Sequence, residues 1–174
     1  MSGSCALAAE ELPLLWYTYQ VNGIRITRLR AADLDDALHL LSLMAEAFEE
    51  HRDALSTNYL EGLLKREDFW LLAAYLDGVL VGGLTAHTLP MTRAQTAELF
   101  IYDLAVDEKS RRNGVGRRLV EEVQKAAAAQ GIACIFVPTD NEDEHALDFY
   151  RAIGGKPSPV TFFTFGCDDA SPED

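Results

Sequence analysis

ELFIYDLAVDEKSRRNGVGRRL, residues 98–119, is the stretch that decides the fold. Its first nine residues form a nearly continuous apolar run, the pattern of a central strand covered on both faces. A polar turn follows. From residue 114 to 130, Leu119, Val123, Ala126 and Ala127 recur at helical spacing, with Gly131 as the stop signal. The turn between strand and helix carries Arg111, Gly114 and Gly116 in the spacing R-x-x-G-x-G. Glycine there lets the backbone turn tightly and come close to a bulky anion. The unpaired N–H groups that open the helix point at such an anion, and the helix dipole reinforces them. Arg111, Arg112, Arg117 and Arg118 add local positive charge. Neither a G-x-G-x-x-G dinucleotide fingerprint nor a G-x-x-x-x-G-K-[ST] phosphate loop occurs at this turn.

Upstream, residues 24–29 alternate in facing and predict a first strand. Asp33 offers an N-cap, and Asp35 and Asp36 suit the positive end of a helix dipole. Leu34, Leu38, Leu41, Ala45 and Phe48 then keep helical spacing. A shorter helix is predicted from Ser56 or Thr57, with Tyr59, Leu60, Leu63 and Leu64 as its apolar face. Two β-rich runs, 69–76 and 79–89, flank Asp77-Gly78, a strong hairpin signal because both residues tolerate positive φ. Downstream, residues 132–137 predict a fifth strand. Asn141 or Asp143 can cap a helix over 144–153, ended by Gly154-Gly155. Residues 160–165 predict a last strand. Trp70, Phe162, Phe163 and Phe165 are expected in the core, with Cys134 a buried small hydrophobe and His87 on a strand surface or, as the alternative, facing the substrate. Helices interleaved with antiparallel and then parallel strands give an α/β (α+β) class. A single domain is expected over 1–174, with 1–22 as an N-terminal extension and 167–174 as an acidic tail.

The 174 residues suffice for a core without metal or disulfide support. The formal charge of -13, from 28 acidic and 15 basic residues, disfavours nucleic acid; it favours cationic ligands at long range, but on its own reads first as charge that keeps a protein dispersed. No apolar run approaches the roughly 20 residues of a membrane helix. Glu10 and Glu11 precede the N-terminal apolar stretch where a signal peptide would be positive, so a cytoplasmic location is expected. Three cysteines cannot all pair, none has neighbours that would lower a thiol pKa, and the four histidines lack metal-ligand spacing, so no metal is implied.

R-x-x-G-x-G after an apolar strand resembles the acetyl-CoA signature of the GNAT superfamily of N-acetyltransferases, and ALDFYRAIGG resembles its second motif. IYDLAV, RRNGVGRRL, FWLLAAYLDGVLVGGLTAHTLP and YRAIGG are similar to the aminoglycoside 3-N-acetyltransferase type I family, over about residues 58–165. The resemblance implies a central, mixed, mostly antiparallel and splayed sheet flanked by about four helices. It implies acetyl-CoA as co-substrate, its pyrophosphate on the backbone of Arg112, Asn113, Gly114, Val115, Gly116 and Arg117, beside Arg111. The pantetheine arm is expected along Leu104, Ala105 and Val106, the last exchanging main-chain hydrogen bonds.

Amine acetylation needs a base for the ammonium, donors for an oxyanion and an acid for the departing thiolate. Asp103 matches the carboxylate proposed as base in that family, and a carboxylate among Ile101, Tyr102, Leu104 and Val106 is costly without a cationic partner. Tyr150 matches the tyrosine that protonates the thiolate; on residues alone it also reads as a core aromatic. The acid-rich run 140–144 reads as helix capping or as a cradle for ammonium groups, with Asp140 and Asp143 as substrate contacts. The function implied is acetylation of the 3-amino group of aminoglycosides, conferring resistance, by a protein of a family that often forms homodimers. A GNAT enzyme acting on polyamines or other small amines, and a non-catalytic acetyl-CoA sensor, are the alternatives.

Overall fold

The computed structural model describes residues 23–49 and 55–166. Chain contacts group into two units, Met1–Pro138 and Thr139–Asp174. In the first, a five-stranded sheet runs in the order β1 (Ile24–Arg28), β2 (Phe69–Leu76), β3 (Val79–Pro90), β4 (Ala97–Val106) and β5 (Cys134–Phe136). Strands β1 to β4 pair antiparallel, and β5 joins β4 in parallel. A parallel neighbour requires a long crossover, which α3 (Val115–Ala129) supplies. Helices α1 (Leu34–Ala47) and α2 (Thr57–Leu64) also belong to this unit. The α/β fold expected from the glycine-turn motif is the one observed.

Each face of the sheet has its own core. One gathers Ile24, Ile26, Trp70, Leu72, Leu84, Leu99 and Ile101 around Val115, Leu119, Val123 and Ala127 of α3. The other packs Leu71, Ala73, Tyr75 and Leu80 against Leu40 and Met44 of α1 and Leu60 and Leu64 of α2. Trp70 is fully buried and its indole Nε1 donates to Thr88 Oγ1 at 2.9 Å. Arg28 is also buried, donating to the Glu67 and Phe69 carbonyls at 2.9 and 2.7 Å. Gly83 matters for α1: a Cβ there would lie 2.5 Å from both Leu40 Cδ2 and the Leu72 carbonyl oxygen. Only a hydrogen side chain lets the helix approach this closely. Among the described residues no helix is long and apolar enough to cross a membrane.

Local chemistry explains the element ends. Asp77 and Gly78 have φ of 50° and 87°, as the two-residue hairpin requires. Ser56 caps α2 by accepting from Tyr59 N at 3.3 Å. Asp33 holds the N-cap position of α1, but its carboxylate turns back and accepts from Arg30 N at 2.9 Å, closing the 3-10 turn Ala31–Asp33.

The strand β4 is not the uniformly covered strand that its hydrophobicity predicts. Thr85 faces Asp103 while Ala86 faces Ile101, so Tyr102 is an extra residue, a β-bulge. Before it, Leu99 and Ile101 point into the α3-side core; after it, Leu104 and Val106 do, while Ala105 enters the opposite core. One inserted residue thus reverses the parity of the strand. Phe100, Asp103, Leu104 and Val106 are only half-buried, and Tyr102 is 59% exposed.

The second unit contains α4 (Glu144–Ala152), capped by Asp143, whose Oδ1 accepts from Ala146 N at 2.9 Å. It ends in a Schellman motif, with Gly155 N on the Tyr150 carbonyl at 2.8 Å and Gly154 N on the Arg151 carbonyl at 3.1 Å. Several sequence expectations fail, among them the apolar face of α1, where Leu38 and Phe48 are exposed and Ala37, Leu40 and Met44 are buried instead. Residues 160–165 form no strand, and Phe162, Phe163 and Phe165 are exposed rather than core. Cys134 is exposed, because the short β5 carries it outward. Tyr59 is 58% exposed, since Leu60 and Leu64 alone face the core from α2. His87 is half-buried, with its ring 5.3 Å from that of Phe69. The segments 1–22 and 167–174 lie outside the described residues.

Candidate functional site

The turn from β4 to α3 places a set of main-chain amides at the start of a 15-residue helix. Gly114 is the N-cap with φ 84°, and Arg112 has φ 67°. Two left-handed residues so close together fold the chain sharply and leave the amides that open α3 without helical acceptors. A Cβ on Gly114 would meet nothing within 4 Å, so the space above the helix start is open. Arg111, Arg112, Asn113 and Arg117 are exposed around it, Gly116 is half-buried and Val115 is core. Arg118 points elsewhere: it pairs with Glu122 at 2.6 Å and Glu121 at 3.3 Å on α3 itself. Asn113 Nδ2 donates to the Ser110 carbonyl at 3.2 Å, bracing the turn. Open space, bare amides and arginines fit a pyrophosphate-bearing coenzyme.

The adjoining strand end is also open. On the β5 side of β4, pairing stops at Phe100 with Phe136. Among the described residues no strand continues it beside 101–106, which is the splay. Leu104 and Val106 therefore present main-chain groups along one edge to an extended ligand, with Ala105 between them turned to β3, the geometry of strand addition. Arg111 Nε reaches the Val106 carbonyl at 3.2 Å, and that oxygen retains a second lone pair.

Asp103 stands at the head of this edge, just past the bulge. Thr85 Oγ1 donates to Asp103 Oδ2 at 3.0 Å, and the same oxygen accepts from Asp103 N at 3.1 Å. Thr85 is 5% exposed, so this reciprocal pair is anchored in the sheet. The carboxylate is fixed through one oxygen, and the other remains able to accept a proton. Sequence reasoning missed Thr85. Its pairing with Asp103 depends on the bulge, which shifts the register by one and cannot be counted from residue spacing.

In the second unit, Tyr150 lies half-buried on α4, its ring 5.0 Å from that of Phe149. Burial, and secondarily the nearby Asp143 carboxylate, push its phenol up to about 12. The phenol is therefore protonated at neutral pH. Asp140 Oδ1 accepts from Glu142 N at 3.0 Å and Asp143 caps α4, so both carboxylates have local structural work.

The sequence profile of the Acetyltransferase (GNAT) family matches residues 34–154, spanning α1, the whole glycine turn and α4. The chain belongs to the GNAT acetyltransferase family. Among related GNAT proteins, an uncharacterized N-acetyltransferase of Methanocaldococcus jannaschii is 23% identical over 154 residues, covering 86% of this chain and 66% of that protein. The N-acetyltransferase family 8 member 3 of Mus musculus is 29% identical over 97 residues, 56% of this chain and 42% of that one. The chain thus spans less than two thirds of the length of either. Solved structures are nearer in sequence. An aminoglycoside acetyltransferase from an uncultured soil metagenomic sample, in complex with sisomicin, is 31% identical with a TM-score of 0.80, covering 83% of this chain and 96% of that one. A second soil metagenomic aminoglycoside acetyltransferase is 32% identical with a TM-score of 0.74, covering 81% and 97%. A ribosomal-protein-alanine N-acetyltransferase from Brucella melitensis biovar Abortus 2308, at 20% identity and TM-score 0.68, shares the GNAT fold.

Proposed function

We propose that the chain transfers an acetyl group from acetyl-CoA to the 3-amino group of an aminoglycoside, neutralising a charge and conferring resistance. The observation that carries the reading is the adjacency of Asp103, held by Thr85, to the unpaired β4 edge that leads into the glycine turn. The likeness to two aminoglycoside acetyltransferases at 31% and 32% identity supports the substrate class.

Acetyl-CoA supplies an activated thioester. The amides from Arg112 to Arg117 and the Arg111 side chain hold its phosphates, and its arm lies along Leu104, Ala105 and Val106, the last exchanging main-chain hydrogen bonds with it. Asp103 accepts the proton of the substrate ammonium, directly or through water, which frees the nitrogen lone pair. A main-chain N–H of the same strand end stabilises the oxyanion. Tyr150, protonated at neutral pH, donates to the departing thiolate. Asp140 and Asp143 contact further ammonium groups of the substrate.

The test is turnover of sisomicin with acetyl-CoA, with the acetylated nitrogen located by NMR. Asp103→Asn is expected to lower kcat by about 10²–10⁴-fold with CoA affinity unchanged. Turnover of spermidine but not sisomicin would replace the substrate, and CoA binding with no turnover of any amine would make the chain a sensor.

A further inference from the structure

The face of the sheet that carries Asp103 also carries a row of aromatic rings with no part in the steps above. Phe69 is the cross-strand partner of His87, His87 of Phe100, and Phe100 of Phe136, so four neighbouring strands contribute at one level. The rings touch in sequence: Phe69 to His87 at 5.3 Å, His87 to Tyr102 at 6.1 Å edge-on, Tyr102 to Phe100 at 5.5 Å edge-on, and Phe100 stacked on Phe136 at 5.3 Å. The row grades from core to solvent, from Phe69 at 7% exposed to Phe136 at 36% and Tyr102 at 59%. The most exposed ring is the bulged residue, immediately before Asp103.

A ring this exposed adds little to either core, and its bulge gives it no cross-strand partner in the ladder. Its π-face and the neighbouring carboxylate attract the same kind of group. Cations bind over aromatic faces, and ammonium on a saturated ring also offers polarised C–H bonds to stack there. In a chain of formal charge -13, an apolar wall edged by a carboxylate matches an aliphatic cation rather than an anion or a neutral aromatic.

We propose that Tyr102, supported by Phe100 and His87, is the specificity-determining wall of the acceptor site, stacking a saturated amino-sugar ring so that its ammonium meets Asp103. The inference rests on the acetyl-transfer reading and adds what selects the acceptor. It assigns discrimination between ring-borne and linear amines to an aromatic surface.

The experiment measures KM for sisomicin, for spermidine and for acetyl-CoA, with calorimetric titration of CoA, in the parent protein, Tyr102→Phe, Tyr102→Leu and Tyr102→Ala. Because Tyr102 is exposed and outside the ladder, the variants are expected to fold, as circular dichroism will check. KM for sisomicin should rise in the order Phe, Leu, Ala, reaching about 3- to 30-fold for Ala, the range of a cation–π contact. KM for acetyl-CoA should stay within twofold. CoA binding and amine turnover retained, with a sisomicin KM indifferent to Tyr102→Ala or rising equally in Leu and Phe, overturns the wall and leaves acetyl transfer standing. A parent that retains no CoA removes the acetyl-transfer reading, and the wall with it.

Discussion

Replacing Thr85 by valine, nearly isosteric, removes one hydroxyl that makes two hydrogen bonds to a single residue. Thr85 Oγ1 donates a hydrogen bond to the Asp103 carboxylate at 3.0 Å and accepts one from Asp103 N at 3.1 Å. A bond to a charged group contributes about 1.5–3 kcal/mol and a neutral one about 0.5–1.5 kcal/mol. Asp103 is half-buried, so water recovers part of both, and the expected net loss is about 2 kcal/mol. For a chain of this size each kcal/mol lowers Tm by about 2–4 °C, so Thr85→Val should melt about 4–8 °C below the parent. Thr85→Ser keeps the hydroxyl and should recover most of the loss. The decisive assay is a double-mutant cycle on thermal stability and on kcat. If Thr85 acts by positioning Asp103, Thr85→Val should lower kcat in the parent and do little further in Asp103→Asn. Fully additive effects on kcat, or a Thr85→Val protein with parental Tm and rate, would refute the positioning argument.

Two further outcomes follow from other parts of the molecule. Gly114→Ala places a methyl group at φ 84° in open space, so only backbone strain of about 1–2 kcal/mol is incurred, a Tm loss of about 2–8 °C. CoA affinity should nevertheless fall by at least about tenfold, because the methyl group occupies the approach to the bare amides; unchanged affinity by calorimetry would move the phosphates elsewhere. Tyr75 donates its hydroxyl to Asp36, and burial, with that hydrogen bond and the carboxylate's charge, pushes the phenol up to about 12. A raised folded pKa means the native state keeps a proton that the unfolded chain releases near pH 10. Its contribution is therefore complete below about pH 10 and lost as pH rises to about 12. Arg28, lowered to about 10 by burial, acts in the opposite direction, so the comparison must be with Tyr75→Phe, whose stability should fall less steeply above pH 10 in denaturant titrations.

Most of the architecture was legible because its signals are local. The Asp77-Gly78 hairpin, the Ser56 cap and the Gly131 and Gly154 stops each follow from the conformational preference of one or two residues. The glycine turn was legible for the same reason, since R-x-x-G-x-G specifies backbone as well as ligand chemistry. What sequence could not supply was register. Tyr102 looks like any residue of an apolar strand, and only the pairing with β3 shows it to be supernumerary. Without that shift neither the Thr85–Asp103 pair nor the exposed aromatic row can be predicted. Residues 160–165 mislead in the other direction. Their composition is that of a strand, but they form none, and four of these six side chains stand exposed as large hydrophobics.

The supernumerary position of Tyr102 also bears on how such a protein can change. A residue that neither fills a core nor faces a cross-strand partner can be exchanged with little penalty to folding, yet this one borders the proposed base. Variation there would retune which amines are accepted while the scaffold holding the carboxylate stays as it is. Selection for a new acceptor amine would then have a position to explore at which gain of activity and loss of stability are largely uncoupled.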